Sequence, residues 1–329
     1  AEGLKTKNMA TLKLTRNLYE TYLKTYPKSP VFYLMSFQYA DLLWFFNMKN
    51  PDTPREEWVK LASLFTRIVK LPRPKDVPRK EFITKRNDAA LAAVRCWMKA
   101  NKITNRQLTG YKKASSKKKC VQKRRRRCVK YADQYAKLEI PSAELSMLDA
   151  FNTYLKYVPK SKYRPAIAFN TGHIYWKYNH FSKSIPLFLK VALDHQADMP
   201  RAARTAAFRV IGMLTVQKKY KEMRVYIDKF IAAKKLMEDE VFKAKMHDFK
   251  LKAMWADADR LMKKKKWTEC GAAFEEMAQR FPGGSNLDTF FWNAGTCYEA
   301  AGMLGPAVSM RRKIVRNYPK SKHAALAMY

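Results

Sequence analysis

Few residues of this chain combine the types and the spacing that catalysis requires. A Gly-rich phosphate-binding loop and a G-x-S-x-G nucleophile elbow are absent from the sequence. Asp257 and Asp259 are two residues apart, which places them on different faces of a helix. The histidines show no metal-ligand spacing such as H-E-x-x-H: His173, His180, His195, His247 and His323. We therefore expect no enzymatic activity, no metal and no cofactor.

The residues best suited to binding an anion form one basic segment. Residues 89–132 contain 15 lysines and arginines and no aspartate or glutamate. The apolar residues after Val121 recur at helical spacing, so the arginines open a predicted helix. Cations at that end oppose the helix macrodipole, and an anionic ligand would relieve the cost. We predict an anion-binding arm with these contacts: Lys117, Lys118, Lys119, Lys123, Arg124, Arg125, Arg126 and Arg127.

The same segment has other interpretations. A solvated linker without a ligand has this composition, and so does a localisation signal in a eukaryotic protein. A nucleic-acid contact is a third. No RNP-type aromatic strand, zinc-finger spacing or helix-turn-helix signature accompanies the charge. Nucleic-acid binding is therefore the alternative function and not the first.

The charge of the whole chain also concerns its partners. Lysine and arginine number 66 against 28 acidic residues, giving a net charge of +38. Such a charge attracts anionic lipid, acidic glycans, acidic proteins and nucleic acid. Free use of lysine on solvated helix faces would explain it equally well outside the basic segment.

The cysteines do not indicate a redox compartment, and the sequence contains no long hydrophobic run. The five cysteines are too scattered for a disulfide framework, and no C-x-x-C is present: Cys96, Cys120, Cys128, Cys270 and Cys297. On a continuous helix, Cys120 and Cys128 would be about 12 Å apart and could not be bridged. No window of 18 uninterrupted apolar residues occurs, and the first eight residues lack the apolar core of a signal peptide. We expect no transmembrane segment.

Four similar proline-containing breaks punctuate the chain. They read Tyr26-Pro27-Lys28-Ser29, Val158-Pro159-Lys160-Ser161, Phe281-Pro282-Gly283-Gly284-Ser285 and Tyr318-Pro319-Lys320-Ser321. Each follows an amphipathic stretch, so the proline is expected to end one helix and the serine to cap the next. Recurrence of one break indicates stacked repeats.

The segments between the breaks match the tetratricopeptide pattern, W-x2-L-G-x2-Y followed by A-x3-F and a proline. Four partial matches are centred on Gly172, Gly212, Ala258 and Gly295. The last reads Phe291-x2-Ala294-Gly295-x2-Tyr298, then Ala307, Ile314 and Pro319, and departs only at Arg311. The third departs at Asp257, where the pattern has leucine.

These patterns predict an all-α fold, a tetratricopeptide-like superhelical solenoid of antiparallel helix pairs, with about 12 to 14 helices. Residues 1–100 form N-terminal repeat-like helices, with helices expected over 14–26, 31–46, 55–71 and 79–100. Residues 101–126 form the basic linker or arm, and residues 127–329 the C-terminal repeats. A helix pair is expected over 131–159.

The Y-P-x-S breaks and segments such as Trp292-Asn293-Ala294-Gly295 resemble tetratricopeptide proteins of Gram-negative cell envelopes. These are the BamD and CpoB type and, closest in style, the long repeat proteins of deltaproteobacterial envelope and gliding-motility machines. The resemblance covers most of the chain outside 101–126. It implies a periplasmic or envelope-associated scaffold that docks peptides or other subunits, with a cytoplasmic location as the alternative.

One stripe of side chains lies off the packing face of the repeats. Phe169, His173 and Trp176 follow one another at i, i+4 and i+7 on the first helix of their pair. The positions taken as equivalent are Arg209, Met213, Val216, Trp255, Met262 and Trp292. The resemblance implies that this first-helix stripe lines a concave groove for a partner. Packing against a neighbouring layer or the chain ends is the alternative.

Taken together, the residues indicate a non-enzymatic scaffold or adaptor that binds protein subunits of a larger assembly. The basic arm would dock an anionic surface, and the alternative is a nucleic-acid-binding helical repeat protein. For the groove, we expect the aromatic anchors Phe169, Trp176, Trp255 and Trp292 to be partly exposed.

Overall fold

The structure is a computed structural model that describes residues 9–102, 135–284 and 286–328. Within these ranges helices account for 76% of the residues, in fourteen helices, and no strand is present. The predicted all-α fold of helix pairs is confirmed. The apolar residues recur at helical spacing, and burial of one face of each helix is what holds such pairs together.

The chain divides into two compact units, Ala1–Ala202 and Ala203–Tyr329. The described part of the first unit contains α1 (Met9–Thr25), α2 (Phe32–Lys49), α3 (Arg55–Lys70), α4 (Arg79–Ala100), α5 (Ser142–Tyr157), α6 (Arg164–Lys177) and α7 (Phe181–Asp194). Helix α8 (Pro200–Val216) begins where the first unit ends. The second unit continues with α9 (Tyr220–Ala232), α10 (Lys234–Met237), α11 (Glu240–Lys263), α12 (Trp267–Arg280), α13 (Leu287–Ala300) and α14 (Leu304–Asn317).

The four helices predicted in the first 100 residues are present as α1 to α4. The pair predicted over 131–159 is not: from residue 135 onward that stretch contains a single helix, α5. Pro141 is the residue immediately before α5. Because proline has no N–H and restricts the residue before it, helix does not extend across it toward residue 135.

All four proline breaks end helices as predicted. Each proline lies two residues after the last residue of a helix, since α1, α5, α12 and α14 end at Thr25, Tyr157, Arg280 and Asn317. The residue before a proline is sterically kept out of the helical region, which terminates the helix at that point.

Ser29 and Ser161 do not cap the helices that follow them, so the predicted capping is wrong at these two breaks. Val31 and Tyr163 are the cap residues of α2 and α6, and neither makes a side-chain cap bond. The hydroxyl of Ser161 instead accepts from the N–H of Tyr163 at 3.1 Å and pairs with the Tyr154 hydroxyl at 2.6 Å. Ser29 forms the same two bonds, to the N–H of Val31 and the Tyr22 hydroxyl. The serine therefore fixes the turn to the preceding helix.

Each unit has its own hydrophobic core. In the first unit, helices from both sides of the predicted basic linker share one core, which includes Phe65, Trp97, Phe151 and Tyr154. In the second unit, α11 to α14 pack in chain order, each on the next, around a core that includes Phe274, Met277 and Phe290. Packing of each helix on its neighbour in sequence is the organisation of a repeat protein.

Candidate functional site

The four helix pairs that carry the repeat pattern, α6/α7, α8/α9, α11/α12 and α13/α14, end their first helices alike. Two residues past each helix end, one residue adopts the left-handed conformation: Asn179, Lys218, Lys265 and Gly302, with φ of 61°, 56°, 56° and 73°. The next N–H donates back to a helix carbonyl at 2.8 to 3.0 Å, with Tyr175, Leu214, Leu261 and Tyr298 as acceptors. This bond terminates the helix and defines which residues of the repeats are equivalent.

The structure corrects the alignment of the second repeat. Gly172 lies three residues before its acceptor Tyr175, and the residue three before Leu214 is Ile211, not Gly212. One residue corresponds to about 100° of rotation around a helix. The assignment of Arg209, Met213 and Val216 to the first-helix stripe is therefore wrong. Arg209 and Met213 are buried, with exposures of 8% and 1%.

The residues that do occupy the stripe in α8 are Phe208, Gly212 and Thr215. Gly212 and Thr215 are exposed, and Phe208 is half-buried. The Phe208 ring lies 5.1 Å from the Phe242 ring and 6.2 Å from the Phe249 ring, both in α11. These residues were not predicted from the sequence because Gly212 matches the glycine of the tetratricopeptide pattern, although it lies one residue past the equivalent position. The register is set by the residue that adopts the left-handed conformation after the helix. A lysine at position 218 does not indicate that conformation in the sequence.

In the first unit, the stripe of α6 is only partly accessible. Phe169 is buried, 6% exposed, and packs edge-on against Phe188 at 5.4 Å, so its predicted exposure is wrong. Trp176 is 37% exposed. Its ring stacks on that of His173, with centroids 5.5 Å apart and an interplanar angle of 21°. His173 and Trp176 thus form a stacked pair on the stripe, whereas Phe169 is buried.

In α11, Trp255 retains a large exposed surface while being held in place. It is 37% exposed. Its ring meets Phe274 of α12 edge-on at 5.5 Å, and Phe290 of the next first helix at 5.8 Å. Met262, about two turns further along the stripe, is half-buried against the same core. Trp255 therefore combines a ring held by two aromatic neighbours with a surface that is partly accessible.

Trp292, at the equivalent position of α13, is half-buried and covered on its ring faces. The His323 ring stacks on it with centroids 4.9 Å apart and an interplanar angle of 14°. The Arg311 guanidinium lies 3.6 Å from its ring centroid. Phe208, Trp255 and Trp292 thus each contact the layer or turn that follows, which is the packing role left open for the stripe.

The two departures from the repeat pattern have physical explanations. Asp257 is 7% exposed and ion-pairs with Arg260, one turn along the same helix. Arg311 donates to both carboxylate oxygens of Glu299, at 3.1 and 2.9 Å. Gly295 leaves it room, because a Cβ there would lie 3.3 Å from Arg311 Nε. Each charge is therefore neutralised where an apolar residue was expected.

A disulfide joins Cys270 of α12 to Cys297 of α13, with Cα atoms 5.8 Å apart. Both cysteines are fully buried. Spacing of 27 residues in sequence gave no sign of this pairing, because only the packing of two helices of adjacent pairs brings the residues together. Cys96 is a buried free thiol, and burial raises its pKa.

The predicted anion-binding residues, from Lys117 to Arg127, lie outside the described residues. Among the residues that are described, no group of three or more histidines, cysteines or acidic residues could hold a metal ion. Within the same ranges, no helix is long and apolar enough to cross a membrane.

Comparison with known proteins gives distant structural likeness alone. No protein-family model matches the chain, and no curated protein matches it. One solved structure that matches is the C-terminal part of a TPR repeat-containing protein from Cytophaga hutchinsonii. It is 14% identical, the match covers 89% of this chain and 99% of that one, and the TM-score is 0.30. Because that score is too low to define a common fold, the fold described above rests on the helix pairs of this chain.

Proposed function

We propose that this chain is a non-enzymatic scaffold that binds other protein chains through the first-helix stripe. The observation that carries the proposal is the exposure of Trp176 and Trp255, 37% each, on the stripe of two helix pairs. Large aromatic side chains on an accessible surface are the residues that most often anchor protein interfaces. Each unit carries one of these two tryptophans, so each unit offers a contact of its own to a partner.

The packing of Trp255 favours an anchor over an incidental exposed residue. Phe274 and Phe290 hold its ring from two directions, at 5.5 and 5.8 Å. A side chain already fixed in the free protein loses little conformational entropy on binding. The partner would therefore meet a preorganised aromatic side chain at this position.

The finer proposal is a multiprotein assembly of a bacterial envelope, with the chain in the periplasm or associated with the envelope. The Cys270–Cys297 disulfide supports an oxidising compartment, since such bonds persist there and are rare in the cytosol of most organisms. The Y-P-x-S breaks support the same family of scaffolds. The 15 cations without an acidic residue in 89–132 support an arm that docks anionic lipid, glycan or acidic protein.

Crosslinking in the native source, with neighbouring chains identified by mass, tests the scaffold. Trp255→Ala and Trp176→Ala should each lose a crosslinked partner, while Val225→Ala, on an exposed side chain of the second helix α9, should keep it. We expect about 1 to 3 kcal/mol of lost affinity for an anchor tryptophan. Partners that survive both tryptophan changes would refute the stripe as the binding surface.

The nucleic-acid alternative predicts different behaviour. Binding that grows with the length of an added DNA or RNA, distinguishes single from double strands, and disappears with residues 112–119 would replace the scaffold proposal. For the scaffold, deletion of 112–119 should leave partner crosslinks through Trp255 in place. The same deletion should leave the melting temperature nearly unchanged, because this polar sequence has little apolar surface to bury.

A further inference from the structure

Helix α14 exposes a stripe that is apolar at one end and basic at the other. Leu304 and Val308 are 68% and 47% exposed, and Arg312 and Arg316 continue the same face at intervals of four residues. The turns after α14 add Leu326 and Met328, which are 61% and 69% exposed. We call these six residues the end surface. Exposed apolar side chains that cluster on a protein surface often mark interaction sites.

Two concave regions give the end surface its shape. One, of about 720 Å³, runs along α14 past Leu304, Val308, Arg312 and Arg316. The other, of about 1110 Å³, lies between the same helix and the turns that carry Leu326 and Met328. Val308, Arg312 and Arg316 line both. The stripe is thus a ridge with a groove on either side, which suits the ridges-into-grooves packing of another helix.

The charge of this region is positive on balance, because Glu299, which lines the second concave region, is paired with Arg311. Residues 300–329 contain six lysines and arginines and no aspartate or glutamate. Arg311 is engaged with Glu299 of α13, whereas Arg312 and Arg316 are exposed along the ridge. A partner that fits must therefore bring acidic side chains beside its apolar ones.

We infer that the end surface docks an acidic amphipathic helix of a partner protein, an inference that rests on the proposed scaffold function and names the chemistry of one partner. The apolar side of that helix would cover Leu304, Val308, Leu326 and Met328, and its carboxylates would pair with Arg312 and Arg316. From 304 to 316 the ridge extends about 18 Å, so a partner helix of about 12 residues or more would span it.

The charges of the segments 1–8 and 103–134, which lie outside the described residues, argue against either of them as the occupant. Residues 1–8 carry two lysines and one glutamate, and residues 103–134 carry twelve lysines and arginines and one aspartate. Like charges placed together in an interface are repulsive. A second copy, at +38, meets the same repulsion. Nucleic acid would satisfy the arginines but leave the exposed leucines without an apolar partner.

The test uses the full chain and a labelled synthetic peptide of about 18 residues, an amphipathic helix with a leucine stripe flanked by glutamates. Fluorescence anisotropy should show saturable binding to the wild-type chain. A scrambled peptide of the same composition should bind about tenfold more weakly, because it keeps the charge and loses the apolar stripe. Equal binding of the scrambled peptide would show general attraction of acidic peptides and would overturn the inference.

Matched variants locate the site. Leu304→Ser/Val308→Ser and Arg312→Glu/Arg316→Glu should each weaken binding by about tenfold or more. Val225→Ser/Val241→Ser and Lys221→Glu/Lys234→Glu make comparable apolar-to-serine and cation-to-glutamate changes on exposed residues elsewhere in the second unit, and should leave binding nearly unchanged. Controls that weaken binding as much as the end-surface variants would overturn the inference.

Other occupants give distinct results. Flotation with vesicles of phosphatidylglycerol and phosphatidylcholine that depends on Leu304 and Val308, without peptide binding, would assign the surface to a membrane instead. Concentration-dependent dimers abolished by Leu304→Ser would assign it to a second copy. Trp255→Ala should not change peptide binding, so loss of the end surface and loss of the scaffold stripe remain distinguishable.

Discussion

The guanidinium carbon of Arg311 lies 3.6 Å from the centroid of the Trp292 ring. The same guanidinium reaches Glu299 through two hydrogen bonds and contacts the Trp292 carbonyl at 3.4 Å. An arginine thus replaces the large apolar residue of the repeat pattern by stacking on an aromatic ring of the adjacent first helix. Arginine suits this position because its planar guanidinium stacks on a ring while its N–H groups donate to a carboxylate.

Replacing Arg311 should therefore destabilise the second unit, although the replaced residue is charged. Arg311→Ala removes a stacked cation and a two-point pair with Glu299, and we expect a loss of about 1 to 3 kcal/mol of unfolding free energy. Arg312→Ala, on the exposed neighbour, should change it by less than about 0.5 kcal/mol. Urea denaturation measures both. Equal effects would mean that the stack contributes nothing.

Substitutions in the stripe and in the core should differ in their effects on stability and on partner binding. Phe274 is 1% exposed, and Phe274→Ala should cost about 3 to 5 kcal/mol of unfolding free energy. Trp255→Ala should cost less, about 1 to 2 kcal/mol, because over a third of the side chain is already in water. It should still lose the crosslinked partner. A Trp255 variant as unstable as the Phe274 variant would identify Trp255 as a core residue.

The fold was predictable because it follows from repeated local signals. Prolines 27, 159, 282 and 319 end helices through their own covalent geometry, and the apolar spacing between them defines helix faces. The exposed stripe was harder to predict, because it depends on a register of one residue. Asn179 and Gly302 are residue types that favour the left-handed conformation, but Lys218 and Lys265 are not, and only the folded turn shows their equivalence.

The end surface and the disulfide lay beyond sequence patterns for a different reason. Cys270 and Cys297 meet because α12 packs on α13, and Leu326 joins Val308 because the turns after α14 fold back beside it. Both relationships are set by tertiary packing between residues far apart in sequence. Helical periodicity assigns each side chain to a face of its own helix and gives no information about the opposing element.

The disulfide should contribute measurably to stability. It closes a loop of 27 residues, which corresponds to about 3 to 4 kcal/mol in the chain-entropy model. Cys270→Ala/Cys297→Ala should therefore unfold at lower urea concentration than the oxidised wild type. Adding reductant should bring the wild type close to the double variant and leave the variant unchanged. Identical unfolding of the wild type with and without reductant would contradict a disulfide in the folded chain.

The stack on Trp292 should be sensitive to pH through His323. Burial and the positive charges of Lys322 and Arg311 lower the pKa of His323 below its usual 6.5, and Asp288 opposes them. Because the folded chain binds this proton less tightly than the unfolded chain, the stabilisation is present above pH 6.5 and declines as the pH falls below it. Nuclear magnetic resonance titration, with the His323 signal assigned by its loss in His323→Gln, should give a pKa for His323 below 6.5. Wild type should also lose more unfolding free energy than His323→Gln between about pH 7 and pH 5; equal losses would contradict this role.

The corrected register makes opposite predictions for two glycines that the sequence pattern treats alike. A Cβ at Gly212 would meet nothing within 4 Å, so Gly212→Ala should gain about 0.5 to 1 kcal/mol from helix propensity. A Cβ at Gly172 would lie 3.3 Å from both Leu187 Cβ and the Phe188 ring, and Phe188 is fully buried and cannot move aside. Gly172→Ala should therefore lose about 1 kcal/mol or more despite the same gain in propensity. Thermal and urea unfolding of the two single variants measure the signs directly. Destabilisation of both variants would mean that Gly212 occupies the packed position of the repeat. Arg209 and Met213 would then be assigned to the stripe.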